Sequence, residues 1–151
     1  KLLPHDKYFC YFVGKGGMES KIKESIKNKE INARLLGFLK QNEIAKRLVE
    51  ADVYILPSRN DPFSRTLSEA LASGCFVLNS KYDDASYDLI SSGKNGYIFD
   101  PTNFNEFKYY MNLVTDTSWK RPSRKKISDD FKFDITDYAN SVINSVLKAK
   151  I

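Results

Sequence analysis

The chain has 151 residues, of which 42% are hydrophobic. A chain of this size buries about two-thirds of its unfolded surface in one core, which leaves no room for a second domain. Its 24 basic and 19 acidic side chains give a net charge of +5, which suits phosphates, acidic lipids or nucleic acid without choosing among them. Two cysteines without C-x-x-C spacing and a single histidine exclude a disulfide framework and argue against a zinc site. We therefore expect Cys10 and Cys75 to be reduced core thiols.

Membrane-spanning and nucleic-acid-binding patterns are not visible in the sequence. The longest apolar runs, such as residues 8–13, are far too short to cross a bilayer, and no signal peptide is recognisable. Tyr and Phe are plentiful, but they do not form an aromatic-interleaved RNA-binding motif. We expect a cytoplasmic protein that does not bind nucleic acid.

The hydrophobic pattern predicts strands and helices that alternate along the chain. Continuous apolar runs predict strands at residues 8–13, 35–36, 53–56, 75–78 and 97–99. Apolar positions at helical spacing predict helices near 18–26, 44–51, 64–73, 104–114 and 134–150. The polar and basic residues 115–128 are predicted to be the most flexible stretch. Buried parallel strands with helical crossovers indicate an α/β fold, a parallel sheet with helices on both faces.

The segment from Asp61 to Gly74 carries the clearest functional signal. The helix predicted to begin near Ser64 follows a strand that Pro57 ends, and Gly74 suits the end of that helix. In an open α/β sheet ligands bind beyond the carboxyl ends of the strands, where a helix N-terminus offers unpaired N–H groups. The backbone amides expected to suit a phosphate or a sugar hydroxyl are those of Ser64, Arg65, Thr66 and Leu67.

Two carboxylates, Asp61 and Glu69, flank this predicted anion site and are separated by seven residues. Asp61 would lie in the turn before the helix, and Glu69 about one and a half turns into it. Carboxylates accept hydrogen bonds without donating them, so both side chains are well suited to paired hydroxyl groups.

This stretch resembles the Glu-x7-Glu donor-binding motif of the family 4 retaining glycosyltransferases, with Asp61 in the place of the first Glu. Other segments resemble the same family in the same order: the turn Gly14-Lys-Gly-Gly17, the loop Leu36-Gly-Phe-Leu39, the strand Ala51-Asp-Val-Tyr-Ile-Leu-Pro-Ser58 and the turn Asn95-Gly-Tyr-Ile-Phe99. The match runs from Phe9 to Asp100. It implies a B-type fold of two facing Rossmann-like domains, of which residues 1–151 would be the single C-terminal donor-binding domain.

The resemblance also implies an activity. Such enzymes transfer a sugar, with retention of configuration, from a UDP- or GDP-linked donor to a glycan or lipid-linked acceptor, and many act in surface polysaccharide synthesis. Neither a metal nor another cofactor is expected. Asp61 would position the donor sugar and Glu69 the ribose, and neither need be a nucleophile. The further donor-binding residues implied are Gly14, Gly16, Phe38, Leu39, Phe63, Ser64, Arg65, Thr66 and Leu67.

The sequence departs from the family pattern at several places. Asp61 is one methylene shorter than Glu, Ser64 stands where Gly is usual, and residues 80–88 lack the Gly-Gly-x-Pro-Glu pattern. Nothing before Pro4 matches the family strand and turn whose Arg and Lys neutralise the leaving diphosphate. We therefore expect a fragment without its first strand and without the N-terminal acceptor domain, inactive on its own.

Each assignment has a simpler alternative. Glu69 could be an acid favoured by the helix dipole, Asp61 a turn residue, and Arg65 an exposed side chain at a helix start. The glycines could serve only turns, and Phe38 and Leu39 could be core residues. The chain could instead be a non-catalytic nucleotide-binding module, or a module that binds a membrane or a protein. A membrane- or protein-binding module would use basic side chains that could equally form solvated faces. These side chains are Lys21, Lys23, Lys27, Lys29, Lys120, Arg121, Arg124, Lys125 and Lys126.

Overall fold

The computed structural model of the protein describes residues 7–131. Within that range strands and helices alternate, as the sequence predicts. The strands are β1 (Cys10–Val13), β2 (Ala33–Gly37), β3 (Val53–Leu56), β4 (Phe76–Ser80) and β5 (Gly96–Phe99). The helices are α1 (Glu19–Lys27), α2 (Gln41–Glu50), α3 (Arg65–Ala72), α4 (Ala85–Leu89), α5 (Phe104–Thr115) and α6 (Arg124–Asp130). The helix predicted over 134–150 lies outside the described residues.

All paired strands run parallel, which confirms the predicted α/β class. β1 pairs with β2 in a two-stranded sheet, and β3, β4 and β5 form a three-stranded sheet in that order. Within residues 7–131 no strand pairs with both β1 and β3, so the strands form two sheets. Parallel strands require long crossovers, and helices supply them here.

The core is centred on β4, where all five residues are buried. Phe76 is fully buried and packs edge-to-face against Tyr97 at 5.4 Å and against Trp119 at 5.1 Å, measured between ring centroids. Leu67 and Leu71 bring the apolar face of α3 onto this core. A strand covered on both faces reads as a continuous apolar run, which explains why β4 could be predicted from sequence.

Residues 115–128 are predicted to be the most flexible stretch, yet part of this segment packs on the core. Trp119 packs on the core, and Ile127 of α6 is fully buried. Ser123 begins α6, and its hydroxyl accepts the backbone N–H of Lys126 at 3.2 Å. Two basic side chains of the segment, Arg121 and Arg124, also bond to the folded domain.

The guanidinium of Arg124 binds backbone carbonyls at the ends of two helices. It donates to the oxygens of Leu48 and Ser73, each at 3.3 Å, and to that of Ala51. The last carbonyls of a helix have no partner within the helix, so a cation placed there stabilises them. Arg121 adds a bond to the carbonyl of Gly74 at 3.3 Å. Arg121 and Arg124 of the basic residues near the end of the chain thus make internal contacts.

Both cysteines are free thiols, and the prediction that both lie in the core holds for Cys75 alone. Cys75 is fully buried, and its Sγ donates to the carbonyl of Leu48 at 2.9 Å. Cys10 is half-buried in β1. Burial raises the pKa of each thiol, which keeps both in the neutral, unreactive form at neutral pH.

Candidate functional site

Two glycine-containing loops meet at the carboxyl ends of β1 and β2. The backbone N–H of Gly14 donates to the carbonyl of Gly37 at 2.7 Å. Their φ angles of 120° and 67° lie in the left-handed region, which side chains rarely adopt. A Cβ added at Gly14, Gly16 or Gly37 would meet no atom within 4 Å among the described residues. The backbone here is therefore open to close approach by a ligand.

The loop after β2 exposes an aromatic ring. The side chain of Phe38 is 75% exposed, so the alternative that Phe38 is a core residue does not hold. Leu39 is half-buried and lies two residues before Gln41, the first residue of α2. An exposed aromatic face beside open backbone is suited to stacking on a planar ring.

The N-terminus of α3 offers two free backbone amides. Ser64 begins the helix: its Oγ accepts the N–H of Leu67 at 3.3 Å, and its own N–H donates to Oδ1 of Asp83 at 3.3 Å. Two of the amides predicted to face a phosphate therefore already have acceptors. The N–H groups of Arg65 and Thr66 have none within residues 7–131. This pair remains available to an anion.

Several side chains around the start of α3 contact other residues of the protein and are not available to a ligand. The hydroxyl of Thr66 bonds to the hydroxyl of Tyr54 at 2.6 Å and to that of Ser64 at 2.9 Å. The side chain of Leu67 is fully buried in the core. Burial raises the pKa of Tyr54, so its hydroxyl stays protonated. In contrast, Phe63 is half exposed and Arg65 is exposed, so both face solvent at the site.

Asp61 lies in the turn before α3, as predicted. Its Oδ1 accepts the backbone N–H of Phe63 at 3.2 Å, which is the local bond expected of a turn aspartate. Its backbone also pairs with the loop after β4, where its N–H donates to the carbonyl of Tyr82 at 3.1 Å. The turn role is therefore observed, and it leaves the second carboxylate oxygen to other partners.

Asp83 is a residue that sequence reasoning missed. It is fully buried, and its Oδ1 accepts the N–H groups of Ser64 at 3.3 Å and Ala85 at 3.1 Å. Its Oδ2 accepts from Nδ2 of Asn79 at 2.7 Å. Asp83 thus joins the loop after β4 to the start of α3. Its place just beyond the carboxyl end of a buried strand was the signal that could have identified it.

Glu69 contacts a second missed residue, Gln41. Nε2 of Gln41 donates to Oε1 of Glu69 at 2.7 Å across 28 residues of sequence. Gln41 is the first residue of α2, two positions after Leu39. The bond therefore ties the loop after β2 to α3. The predicted site residues are brought together by three such contacts: Gly14 with Gly37, Gln41 with Glu69, and Asp61 with the loop that contains Asp83.

Residues 1–130 match the family described as glycosyl transferases group 1. The chain is a member of this glycosyltransferase family. No curated protein matches the sequence. The family match covers every residue of the candidate site, which is consistent with the resemblance that the motifs indicate.

The fold of this glycosyltransferase-family chain is similar to several solved structures. One is Anabaena HepE in complex with UDP, with 21% identity and a TM-score of 0.69 over 91% of this chain and 40% of that one. Another is the lipopolysaccharide outer core galactosyltransferase WaaB in its apo form, with 20% identity and a TM-score of 0.76 over 93% and 40% of the two chains. A third is the pneumococcal O-GlcNAc transferase GtfA in complex with UDP and GlcNAc, with 19% identity and a TM-score of 0.65 over 92% of this chain and 29% of that one. The chain has the α/β architecture of one half of the B-type glycosyltransferase fold, and it spans 40% or less of these structures.

Other features of this family member lie away from the site. A cavity of about 340 Å³ is lined by Asp88, Leu89, Ser91, Lys94, Asn95, Asp130 and Phe131, which include none of the predicted site residues. Over residues 7–131, no three His, Cys, Asp or Glu side chains form a group that could hold a metal ion. In the same range no helix has the length and apolar character needed to cross a membrane.

Proposed function

We propose that this chain is the donor-binding half of a retaining glycosyltransferase that moves a sugar from a UDP- or GDP-linked donor to a glycan or lipid-linked acceptor. The main support for the proposal is that segments far apart in sequence meet at the carboxyl ends of the strands, around the N-terminus of α3. The likeness to HepE, whose structures hold UDP or UDP-glucose, supports a uridine or similar nucleotide as the ligand.

The described groups suggest one arrangement of the donor. The diphosphate lies against the free amides of Arg65 and Thr66, with the exposed guanidinium of Arg65 beside it. Glu69 accepts the ribose hydroxyls, and Asp61 contacts the donor sugar. The base lies toward Phe38 and the open backbone of the glycine loops. Asp61 and Glu69 act as positioning groups in this arrangement.

The chemistry follows from these roles. The bond between the anomeric carbon and the diphosphate oxygen breaks through an oxocarbenium-like state, and negative charge develops on the leaving phosphate. The acceptor hydroxyl attacks from the same face, and its proton passes to the leaving phosphate, so the configuration is retained. The helix N-terminus stabilises the departing charge. This scheme needs no metal ion and no other cofactor.

The sheet edges support the proposal that more of the enzyme is required. β1 and β3 are edge strands, and one parallel strand between them would give the doubly wound order 3-2-1-4-5-6. The apolar side chains along β1 are unusually open for a parallel strand: Tyr11 is 38%, Phe12 37% and Val13 46% exposed. We propose that the full-length protein supplies this strand, together with a facing domain that holds the acceptor. Residues 1–151 alone would then be inactive.

We further propose a role in surface polysaccharide synthesis, in the cytoplasm and at the inner face of the membrane. Support for a membrane contact comes from α1, where Lys21, Lys23 and Lys27 are all exposed. Lys23 is paired with Glu19 at 2.7 Å, which reduces the charge available. Since Arg121 and Arg124 bind internal carbonyls, the lysines of α1 are the better candidate surface.

The experiment that tests this function is a transfer assay on the full-length protein with UDP- and GDP-linked sugars. We expect one nucleotide series to be used, and NMR of the product to show the anomeric configuration of the donor. Glu69→Ala should abolish transfer, whereas Glu50→Ala, a surface acid paired with Arg47, should not. A product of inverted configuration would contradict the retaining mechanism.

Two other functions predict different results. A non-catalytic nucleotide-binding module would bind a nucleotide and transfer nothing; the use of Asp61 Oδ1 within its own turn favours this reading. A basic interaction module would bind anionic liposomes in a salt-sensitive way without any nucleotide affinity, and the lysines of α1 favour it. The transfer assay separates the first of these functions from glycosyl transfer, and nucleotide titration with liposome flotation separates the second.

A further inference from the structure

The side chains of Gln41 and Glu69 form a hydrogen bond. This bond does not cap the N-terminus of α2. Nε2 of Gln41, at the first position of α2, donates to Oε1 of Glu69 within α3 at 2.7 Å. The start of α2 is closed by another contact, because Oε2 of Glu43 accepts the backbone N–H of Lys40 at 2.8 Å. The side chain of Gln41 is therefore available to serve Glu69.

The stability that this bond contributes is small. Gln41 is exposed and Glu69 is half-buried, so water competes for both groups. A hydrogen bond of this kind contributes about 1 kcal/mol or less to folding. Its larger effect is geometric, because it fixes the rotation of a carboxylate that would otherwise turn freely about its side-chain bonds. The position of the second oxygen is thereby fixed as well.

The second oxygen is suited to a diol. An ionised carboxylate has about four lone-pair sites on its two oxygens, and Gln41 occupies one of them on Oε1. Within residues 7–131 no group donates to Oε2 of Glu69. An amide donor also leaves the negative charge intact, whereas Lys or Arg at this position would neutralise it and compete with hydroxyl donors. The pair thus presents an oriented and fully charged acceptor.

We propose that Gln41 is a positioning residue that orients Glu69 toward the paired ribose hydroxyls of the donor and so sets a preference for ribonucleotides over 2′-deoxyribonucleotides. This inference rests on the proposed function, in which Glu69 contacts the ribose. Gln41 itself does not touch the nucleotide. It acts on affinity only through the carboxylate, and only where a 2′-hydroxyl is present to be bound.

Calorimetric titration of the protein with UDP and GDP, and then with the 2′-deoxy form of whichever binds, tests this proposal. Gln41→Leu should weaken ribonucleotide binding by up to about fivefold and deoxyribonucleotide binding by less than about twofold. Gln41→Asn, whose amide is one methylene shorter, should do the same and guards against an effect of the apolar side chain. Asn42→Leu, an exposed neighbour on α2, should change neither affinity.

A double-variant cycle separates positioning from a structural effect. In a Glu69→Ala background, Gln41→Leu should have no further effect on affinity, because the carboxylate that it orients is gone. Equal weakening of both nucleotides by Gln41→Leu, or an effect that persists without Glu69, would overturn this inference and leave the proposed function standing. Failure of the wild-type protein to bind UDP or GDP would overturn both.

Discussion

The backbone N–H of Ser64 donates to Oδ1 of Asp83 at 3.3 Å, and this bond joins the start of α3 to the loop after β4. The same loop pairs with the backbone of Asp61. Residues 80–88 depart from the pattern that the family resemblance leads one to expect, yet they hold both the turn and the helix start of the candidate donor site. The atypical loop is therefore a structural support of the site.

Asp83→Ala should destabilise the protein, because the donors on Ser64, Ala85 and Asn79 would lose their buried acceptor. An unsatisfied buried donor costs about 1–3 kcal/mol, so we expect a loss of about 3 kcal/mol in the free energy of unfolding, measured with urea. Asp84→Ala is the matched control. Asp84 is the N-cap residue of α4, but its side chain is exposed and makes no capping hydrogen bond, so this variant should change stability by less than about 0.5 kcal/mol. Equal losses in the two variants would contradict this role of Asp83.

Gly74→Ala should be far more destabilising than Gly93→Ala. The two glycines have nearly the same φ, 73° and 74°, so the backbone strain of an alanine is the same at both. At Gly74, however, the new Cβ would lie 2.6 Å from the carbonyl oxygen of Arg124, whereas at Gly93 its nearest neighbour is the hydroxyl of Tyr97 at 3.6 Å. Strain costs about 1–2 kcal/mol in each variant, and overpacking adds about 1–3 kcal/mol at Gly74 alone. Thermal unfolding of the pair measures the difference, and similar melting temperatures would mean that α6 does not pack here.

Arg124→Met should lower the free energy of unfolding by about 2 kcal/mol, because carbonyls of Leu48, Ala51 and Ser73 lose a charged donor. Lys125→Met, at the exposed next position of α6, is the control and should be nearly neutral. Urea unfolding monitored by the fluorescence of Trp119 reports both variants, since that ring packs on the core beside this segment. A neutral Arg124→Met would restore the earlier view of a flexible basic stretch.

The pKa of Asp100 should be about 2, below its ordinary value of 3.8, chiefly because Lys81 donates to it and secondarily because Thr102 does. A lowered folded-state pKa means that the ionised form favours folding: the contribution is present above about pH 4 and is lost as the pH falls through about 2. NMR titration of the carboxyl carbon measures this pKa directly. Lys81→Met should raise it toward 3.8, and Lys46→Met on α2 should leave it unchanged. An unshifted pKa in the wild type would show that the ion pair does not persist in solution.

Much of the fold could be predicted from local pattern. Runs such as Phe76 to Leu78 are continuous and apolar because β4 is covered on both faces, and Ser64 and Gly74 mark the limits of α3 by their own backbone preferences. The spacing of Asp61 and Glu69 is likewise local. Short α4 was not predicted, because its five residues include too few apolar positions to define a helical face.

What could not be predicted depends on contacts between distant residues. Arg124 is indistinguishable by composition from a solvated arginine until its three carbonyl partners are known. The partners Gln41 and Glu69 are 28 residues apart, and Ser64 and Asp83 are 19 apart. No periodicity or propensity signals such a pair, because each residue taken alone is ordinary for a helix start or a loop.

Calorimetric titration with UDP, GDP and their sugar conjugates tests whether Glu69 lies in a nucleotide-sugar site. We expect one base to be preferred and Glu69→Ala to weaken its binding by at least about tenfold, while Glu50→Ala binds as the wild type does. Nucleotide binding that is unchanged by Glu69→Ala would contradict the assignment of this site. Absence of binding to the full-length protein would contradict donor binding altogether.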